Sequence, residues 1–180
     1  MTIFSNGMKD RVDMTKDLNR YRVNALAIIA SSAFAGGNLF IGLSMGPLWL
    51  SLDPIDFMNG FGPQFMRFLL TIMPLFLLTL VGIVMSLRLD KDAPEVRRIW
   101  WRAIFAYIAL SLITLGYHMP ENLRLLAVGY TSAEADAART FWLLGHIPRV
   151  FLAFCIPWFV FRAITMRAPD EVPVHQAPAL

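Results

Sequence analysis

Phe68–Leu87 reads FLLTIMPLFLLTLVGIVMSL, twenty residues without an Asp, Glu, Lys or Arg. A helix needs about 20 such residues to cross the ~30 Å hydrocarbon core of a bilayer. Three more runs accompany it. Val23–Leu52 is thirty residues free of these charges, Ala103–Pro120 is eighteen, and Thr140–Phe161 is twenty-two, interrupted only by Arg149. The whole chain agrees: its 180 residues are 57% hydrophobic and 16% charged, with mean hydropathy +0.54. A soluble domain carries about 45–50% apolar and about 25% charged residues. This composition excludes a soluble enzyme and a disordered chain. The single cysteine, Cys155, excludes a disulfide scaffold, an iron–sulfur cluster and a thiolate zinc site.

The sequence predicts an all-α, integral membrane four-helix bundle. Residues 1–22 form a basic segment, 23–167 one four-span domain, and 168–180 a proline-rich, disordered tail. Gly46, Pro47 and Pro54 predict that the first run leaves the helix near its end. Asp53–Pro63, rich in turn residues and aromatics, then reads as an outer loop. Pro74 and Pro157 predict kinks in spans two and four. Ala33-Phe34-Ala35 resembles a signal-peptide cleavage site, but the apolar run continues past it, so an uncleaved first span is expected.

Lys9, Arg11, Lys16, Arg20 and Arg22 precede span one. Arg88, Lys91, Arg97, Arg98 and Arg102 surround the loop between spans two and three, and Arg162 and Arg167 follow span four. The other loops hold only Arg67, Arg124 and Arg139. By the positive-inside rule both termini are cytoplasmic and the chain belongs in the cytoplasmic (inner) membrane. Trp100 and Trp101 fall where an interfacial aromatic belt is expected. The net charge of +3 is therefore a topology signal with the lipid bilayer as its partner, and not a nucleic-acid footprint.

Polar residues inside the spans are the candidate site. At ~1.5 Å of rise per residue, His146 lies roughly 24 Å from Arg162, in the outer half of the membrane. His118 is sixteen residues beyond Arg102, and Asn38 sixteen beyond Arg22, so all three reach one level. Asn122, Glu121 and Arg67 lie at the outer ends of spans three and two. Trp142, His146 and Arg149, at i, i+4 and i+7, fall within roughly 60° of one helix face. An arginine inside the hydrocarbon costs at least ~2.5 kcal/mol, so Arg149 is expected to face the interior, with Glu121 as counter-ion. Ser31, Ser32, Gly36, Gly37 and Gly42 form a small-residue patch suited to close helix packing, a homo-oligomer being one possibility.

These segments carry a resemblance. Phe34-Ala35-Gly36-Gly37-Asn38-Leu39-Phe40, Pro120-Glu121-Asn122-Leu123-Arg124-Leu125-Leu126 and Trp142-Leu143-Leu144-Gly145-His146-Ile147-Pro148-Arg149 are similar to the signature segments of the anthrone oxygenase-like membrane proteins. The likeness covers roughly residues 23–163. It departs at Ser44-Met45-Gly46-Pro47, where that family often has an acidic residue and a histidine, and His118 has no counterpart in the pattern. The resemblance implies a four-span fold and an O2-dependent oxidation of an anthrone to an anthraquinone without metal or flavin.

Such chemistry needs an electron-rich, lipophilic phenolic substrate. It also needs a base near neutral pH, which His146 or His118 supplies, and oxyanion donors, for which Arg149 and Asn122 are suited. The slot for a flat ligand falls to Trp142, Phe141 and Phe40, with Asn38 and His118 as further contacts. Two other classes stand beside this monooxygenase. His118 and His146, with Glu121 nearby, are a possible ligand set for haem or copper. Alternatively the chain is a non-catalytic membrane subunit or small transporter, its polar residues serving helix association.

Overall fold

A computed structural model gives the fold, describing residues 3–126 and 129–167, with side chains from Met14 onward except Lys16. The expected disordered tail, residues 168–180, lies outside the described residues, as do the side chains of Lys9, Arg11 and Lys16. The elements are α1 (Ile3–Phe40), a π turn (Ile41–Met45), α2 (Gly46–Ser51), α3 (Pro54–Leu89), α4 (Pro94–Ile113), a second π turn (Thr114–His118), α5 (Met119–Leu125) and α6 (Ser132–Arg167). They make four rods, each long and apolar enough to cross a membrane: Asp17–Ser51, Pro54–Leu89, Pro94–Leu125 and Ser132–Arg167. Among the described residues there is no strand. Leu70, Leu77, Leu112, Phe151 and Trp158 are exposed on the outside of the bundle, a surface stable only against lipid. The chain is an all-α, membrane-spanning four-helix bundle.

Two expectations at the helix ends are corrected. Gly46-Pro47 does not end the first rod, and Asp53–Pro63 is not a loop. Pro47 sits in the first turn of α2, where a missing N–H costs least, and the π turn before it lets the chain continue as helix. Rod three repeats the device: its second π turn is followed by Pro120 in the first turn of α5. Only Leu52 and Asp53 separate α2 from α3. Asp53 caps α3, its carboxylate accepting from the Ile55 N–H at 2.9 Å, and Pro54 takes the first helical position. Phe57 and Phe61, four apart on this new first stretch of helix, are buried against Trp49. Burial of those rings, together with the cap, outweighs the turn propensity of Asn59, Gly60, Gly62 and Pro63.

The rods pack α1 against α3 and α6, and α4 against α6. One apolar core, with Ala27, Phe34, Ile83, Tyr107, Leu110, Ile156 and Val160, runs through the middle and toward one end. A second, with Trp49, Phe57, Phe61, Leu125 and Trp142, fills the other. The closest helix contact is not in the glycine patch of span one. Gly36 has open space where a Cβ would stand, whereas a Cβ at Gly82 would lie 2.6 Å from the Cα of Ala27. Gly82 is what lets α3 and α1 approach backbone to backbone.

An ionic cluster closes the end opposite the second core. Asp90, buried between α3 and α4, lies 3.1 Å from Arg167 and 3.4 Å from Arg20, and accepts from the Trp100 indole N–H at 2.8 Å. Arg20 also donates to the Leu89 carbonyl at 3.3 Å. The start of the first rod and the end of the last therefore meet at one face of the bundle. Trp100 is fully buried here, so of the expected belt pair only Trp101, exposed, is free to sit at an interface.

Gly82→Ala should force α1 and α3 apart and destabilise the protein by about 1–3 kcal/mol, as overpacking does. Gly36→Ala, with open space for its Cβ and a better helix former in place, should leave stability unchanged or slightly raised. Thermal melting of the two variants in the same detergent checks this pair.

Candidate functional site

The two π turns lie at the same level of the bundle, and the polar residues of the spans gather between them. A π turn widens a helix and often accompanies a functional site. Each of the two is certified by an i→i−5 bond: Gly46 N–H to the Ile41 carbonyl, and Met119 N–H to the Thr114 carbonyl. His118 ends the second turn. Gly42 in the first turn faces His146, since a Cβ there would stand 3.5 Å from its Cδ2.

His146 is 2% exposed. Its Nε2 lies 2.9 Å from the main-chain carbonyl oxygen of Asn38. A carbonyl only accepts, so Nε2 carries the hydrogen, and in the neutral ring Nδ1 keeps the lone pair. That Nδ1 has no hydrogen-bond partner among the described residues. Asn38 thus serves through its backbone. Its side chain, expected to touch substrate, turns back to donate to the Phe34 carbonyl at 2.9 Å.

Trp142 lies flat on His146, ring centroids 5.2 Å apart and planes 11° apart. Its indole N–H donates to Asn122 Oδ1 at 2.7 Å. Because the indole is donor-only, this bond fixes the amide orientation and leaves the Asn122 NH2 as a donor for something else. His118 is fully buried, stands edge-on to Trp142 at 5.1 Å and to His146 at 5.9 Å, and has the Gly145 backbone as its polar neighbour, with no well-aligned hydrogen bond at either ring nitrogen among the described residues. Tyr117 beside it donates its hydroxyl to the Phe141 carbonyl and packs across Gly145, where a Cβ would fall 2.0 Å from the ring.

An interior cavity of about 110 Å³ opens between the rods. Its walls are apolar and aromatic, with Phe34, Trp49, Phe61 and Phe68 prominent, and Thr114, Asn122 and Arg149 bring the polar groups. Arg149 faces this interior, as expected, but the expected partner is elsewhere. Glu121 pairs with Arg124 at 3.8 Å, and Arg149 has no ion pair among the described residues, its Nε being without a hydrogen bond. Phe40 and Phe141, expected to wall the slot, are 53% and 60% exposed on the outside of the bundle. The aromatic positions that do line it come from α1, α2, α3 and α6, one of them, Phe61, on the stretch that reads as a loop.

Arg139, which reads as a loop residue, is buried. It donates to the carbonyls of Trp49 and Leu52 at 2.7 and 2.8 Å and pairs with Asp136, and its guanidinium lies 5.9 Å from the Phe57 ring. It satisfies the open carbonyl end of α2 and holds Trp49 against Trp142. The signal was in the sequence: Arg139, Trp142, His146 and Arg149 form one stripe at i, i+3, i+7 and i+10.

Among the described residues, no three of His, Cys, Asp and Glu come together to hold a metal ion. Glu121 is not joined to the histidines, and one nitrogen of His146 is engaged by Asn38. The haem or copper reading is left with two imidazoles and no third ligand for a copper ion among the described residues, and neither histidine lines the 110 Å³ cavity. No protein-family model, curated protein or solved structure matches this chain. What the site can do follows from its own groups: an amide donor and a guanidinium at an apolar cavity, and two buried imidazoles packed against its Trp142 wall.

Gly145→Ala should expel the Tyr117 ring and disturb the adjoining His118, costing stability beyond its slight gain in helix propensity. In combination with Tyr117→Ala the two losses should be strongly non-additive. A double-mutant cycle of thermal melts reads the coupling.

Proposed function

We propose that the protein is a membrane-embedded, cofactor-independent monooxygenase that oxidises a lipophilic phenolic or anthrone-like substrate with O2. The observation that carries this reading is Arg149, which lines an aromatic-walled cavity together with Asn122 and has no counter-ion among the described residues. An uncompensated guanidinium in a membrane interior is costly, and a bound phenolate or enolate oxygen would complete it. His146 Nδ1 is the base. The Asn38 carbonyl holds Nε2–H, and the imidazolium formed on protonation keeps that bond.

In this mechanism His146 removes a proton from the acidic ring methylene of the substrate. Arg149 and the Asn122 NH2 hold the negative charge on the ring oxygen. The electron-rich anion gives an electron to O2, and the resulting radical pair joins as a hydroperoxide at the same carbon. Loss of water then leaves a carbonyl, so that one methylene and one O2 become one ketone and one water. The protein supplies the base, the oxyanion donors and an apolar space, and the substrate supplies the electrons.

Orientation belongs to the same proposal. Most Lys and Arg residues fall toward the Asp90 end, which by the positive-inside rule supports cytoplasmic termini and a site in the outer half of the membrane. In a Cys155→Ala background, cysteines at the exposed positions Asp56 and Ala137 should react with an impermeant maleimide from outside. Reaction only after permeabilisation would reverse the topology. A screen of anthrones and hydroquinones under air and under nitrogen tests the chemistry. Once a substrate is in hand, His146→Ala should lower kcat by about 10²–10⁴-fold. Arg149→Lys should also be poorly tolerated, since a lysine has no planar fork for the oxyanion. Turnover that persists without O2, or survives His146→Ala, would sink the mechanism.

A further inference from the structure

The α3 wall of the Arg149 cavity runs from Phe61 to Phe76, a stretch of roughly 22 Å at ~1.5 Å per residue. Along it Gly62, Leu69, Met73 and Phe76, at i, i+7, i+11 and i+14, share one stripe within roughly 60° of arc. Both ends of the stripe meet rod three. A Cβ at Gly62 would stand 3.1 Å from Leu126, just past α5. Phe76 stacks on Tyr107 of α4, ring centroids 4.3 Å apart, and its carbonyl accepts the Tyr107 hydroxyl at 3.2 Å.

Between those two contacts the seam is open. Met73 lines the cavity and is also 43% exposed, so there the cavity meets the lipid-facing surface. Across the seam Thr114 and Met119, which bracket the second π turn, line the same space. Leu69 and Met119 are half-buried, yet neither is packed into either core. The rim is therefore leucine and two flexible thioethers, and Thr114 spends its hydroxyl hydrogen on the Leu110 carbonyl at 2.8 Å. Arg149 comes from α6, which packs on α1 and α4 and so stands away from the seam between rods two and three.

We infer that this cavity is loaded sideways from the bilayer, through a window between spans two and three, by a flat, weakly acidic aromatic molecule that crosses the rim neutral and is held inside as its oxyanion. The inference rests on the reading of Arg149 and Asn122 as oxyanion holders, and uses neither His146 nor the space between α1 and α6. Each part of the class has its own cause. Aromatic walls accept a flat ring, and an apolar rim turns away a charged one. Once inside, the oxygen meets a guanidinium that has no counter-ion among the described residues, and the ligand's proton is released to water.

The test uses the full chain in phosphatidylcholine nanodiscs and 4-nitrophenol, whose anion is coloured and which has no methylene to oxidise, so binding is read apart from turnover. At fixed pH the ratio of phenolate to phenol should exceed that of protein-free nanodiscs about tenfold or more, and Arg149→Gln should abolish the excess. In a Cys155→Ala background, Met73→Cys capped with benzyl methanethiosulfonate should take up and release the probe about tenfold more slowly, both rates recovering on reduction. A cap that only damaged the site would speed release. Met119→Trp, from the opposite rim, should slow both rates in the same way. Asn59→Trp, at a pocket between the start of α3 and Tyr130, and Ile147→Trp, in the groove between α1 and α6, should change neither. No excess phenolate, an excess that survives Arg149→Gln, release unslowed by the cap and by Met119→Trp, or slowing by Asn59→Trp or Ile147→Trp would overturn the inference. Oxygen uptake, read separately, tells the two readings apart. Window-gated phenolate binding with no uptake on any anthrone would remove the oxygenase and keep the window. Uptake on anthrones that ignores the cap, with no excess phenolate, would keep the oxygenase and remove the window.

Discussion

The indole of Trp142 is bonded to Asn122 on the third rod and lies flat on His146, which in turn reaches the Asn38 carbonyl on the first. This chain of contacts ties three of the four rods together at the level of the candidate site. A bilayer interior offers no water to satisfy stray donors, so each such bond is worth keeping and each missing one is conspicuous. The chain also decides chemistry. A donor-only indole and an acceptor-only carbonyl leave no freedom in how Asn122 and His146 are oriented, and so set which atoms face outward as donor and which keeps a lone pair. Arg139 supports the arrangement from behind by holding the end of α2, and with it Trp49, against Trp142.

The two π turns do related work on the backbone. Both fall at the level of the histidines, and each is followed two residues later by a proline that a plain helix would not accept in mid-course. Widening the helix just before the proline moves it to a first-turn position, where the absent N–H is no loss. The rods can then continue past the site and build its cap from Trp49, Phe57, Phe61 and Leu125. Without that continuation the cavity would lose the wall that Trp49 supplies.

The bundle treats its polar groups differently at its two ends. Around Asp90 the charges are matched, and an indole completes the carboxylate. Around His118, His146 and Arg149 no ion pair forms among the described residues, and each has a buried nitrogen without a hydrogen bond. Orphaned polar atoms buried in a native fold call for a reason, and a ligand that fills them is the reason proposed for this site.

Charge-free length alone determined that there are four spans, because the hydrocarbon core sets how many apolar residues a crossing takes. Helical arithmetic likewise put His118, His146, Asn38 and Asn122 at one level and Trp142, His146 and Arg149 on one face, since rise and twist per residue are fixed. Other features depended on partners distant in the chain. Whether Asp53–Pro63 is loop or helix was settled by Trp49 waiting to bury Phe57 and Phe61, and whether Arg139 is surface or core by the open carbonyls of α2. Which way Phe40 and Phe141 point follows from how α1 and α6 are rotated against their neighbours, as does the failure of Glu121 to reach Arg149. Periodicity gives a residue's depth and its face relative to its own helix. Only packing decides what that face meets, because the rotation of each rod is fixed by close contacts such as Gly82 on Ala27, which no single segment encodes.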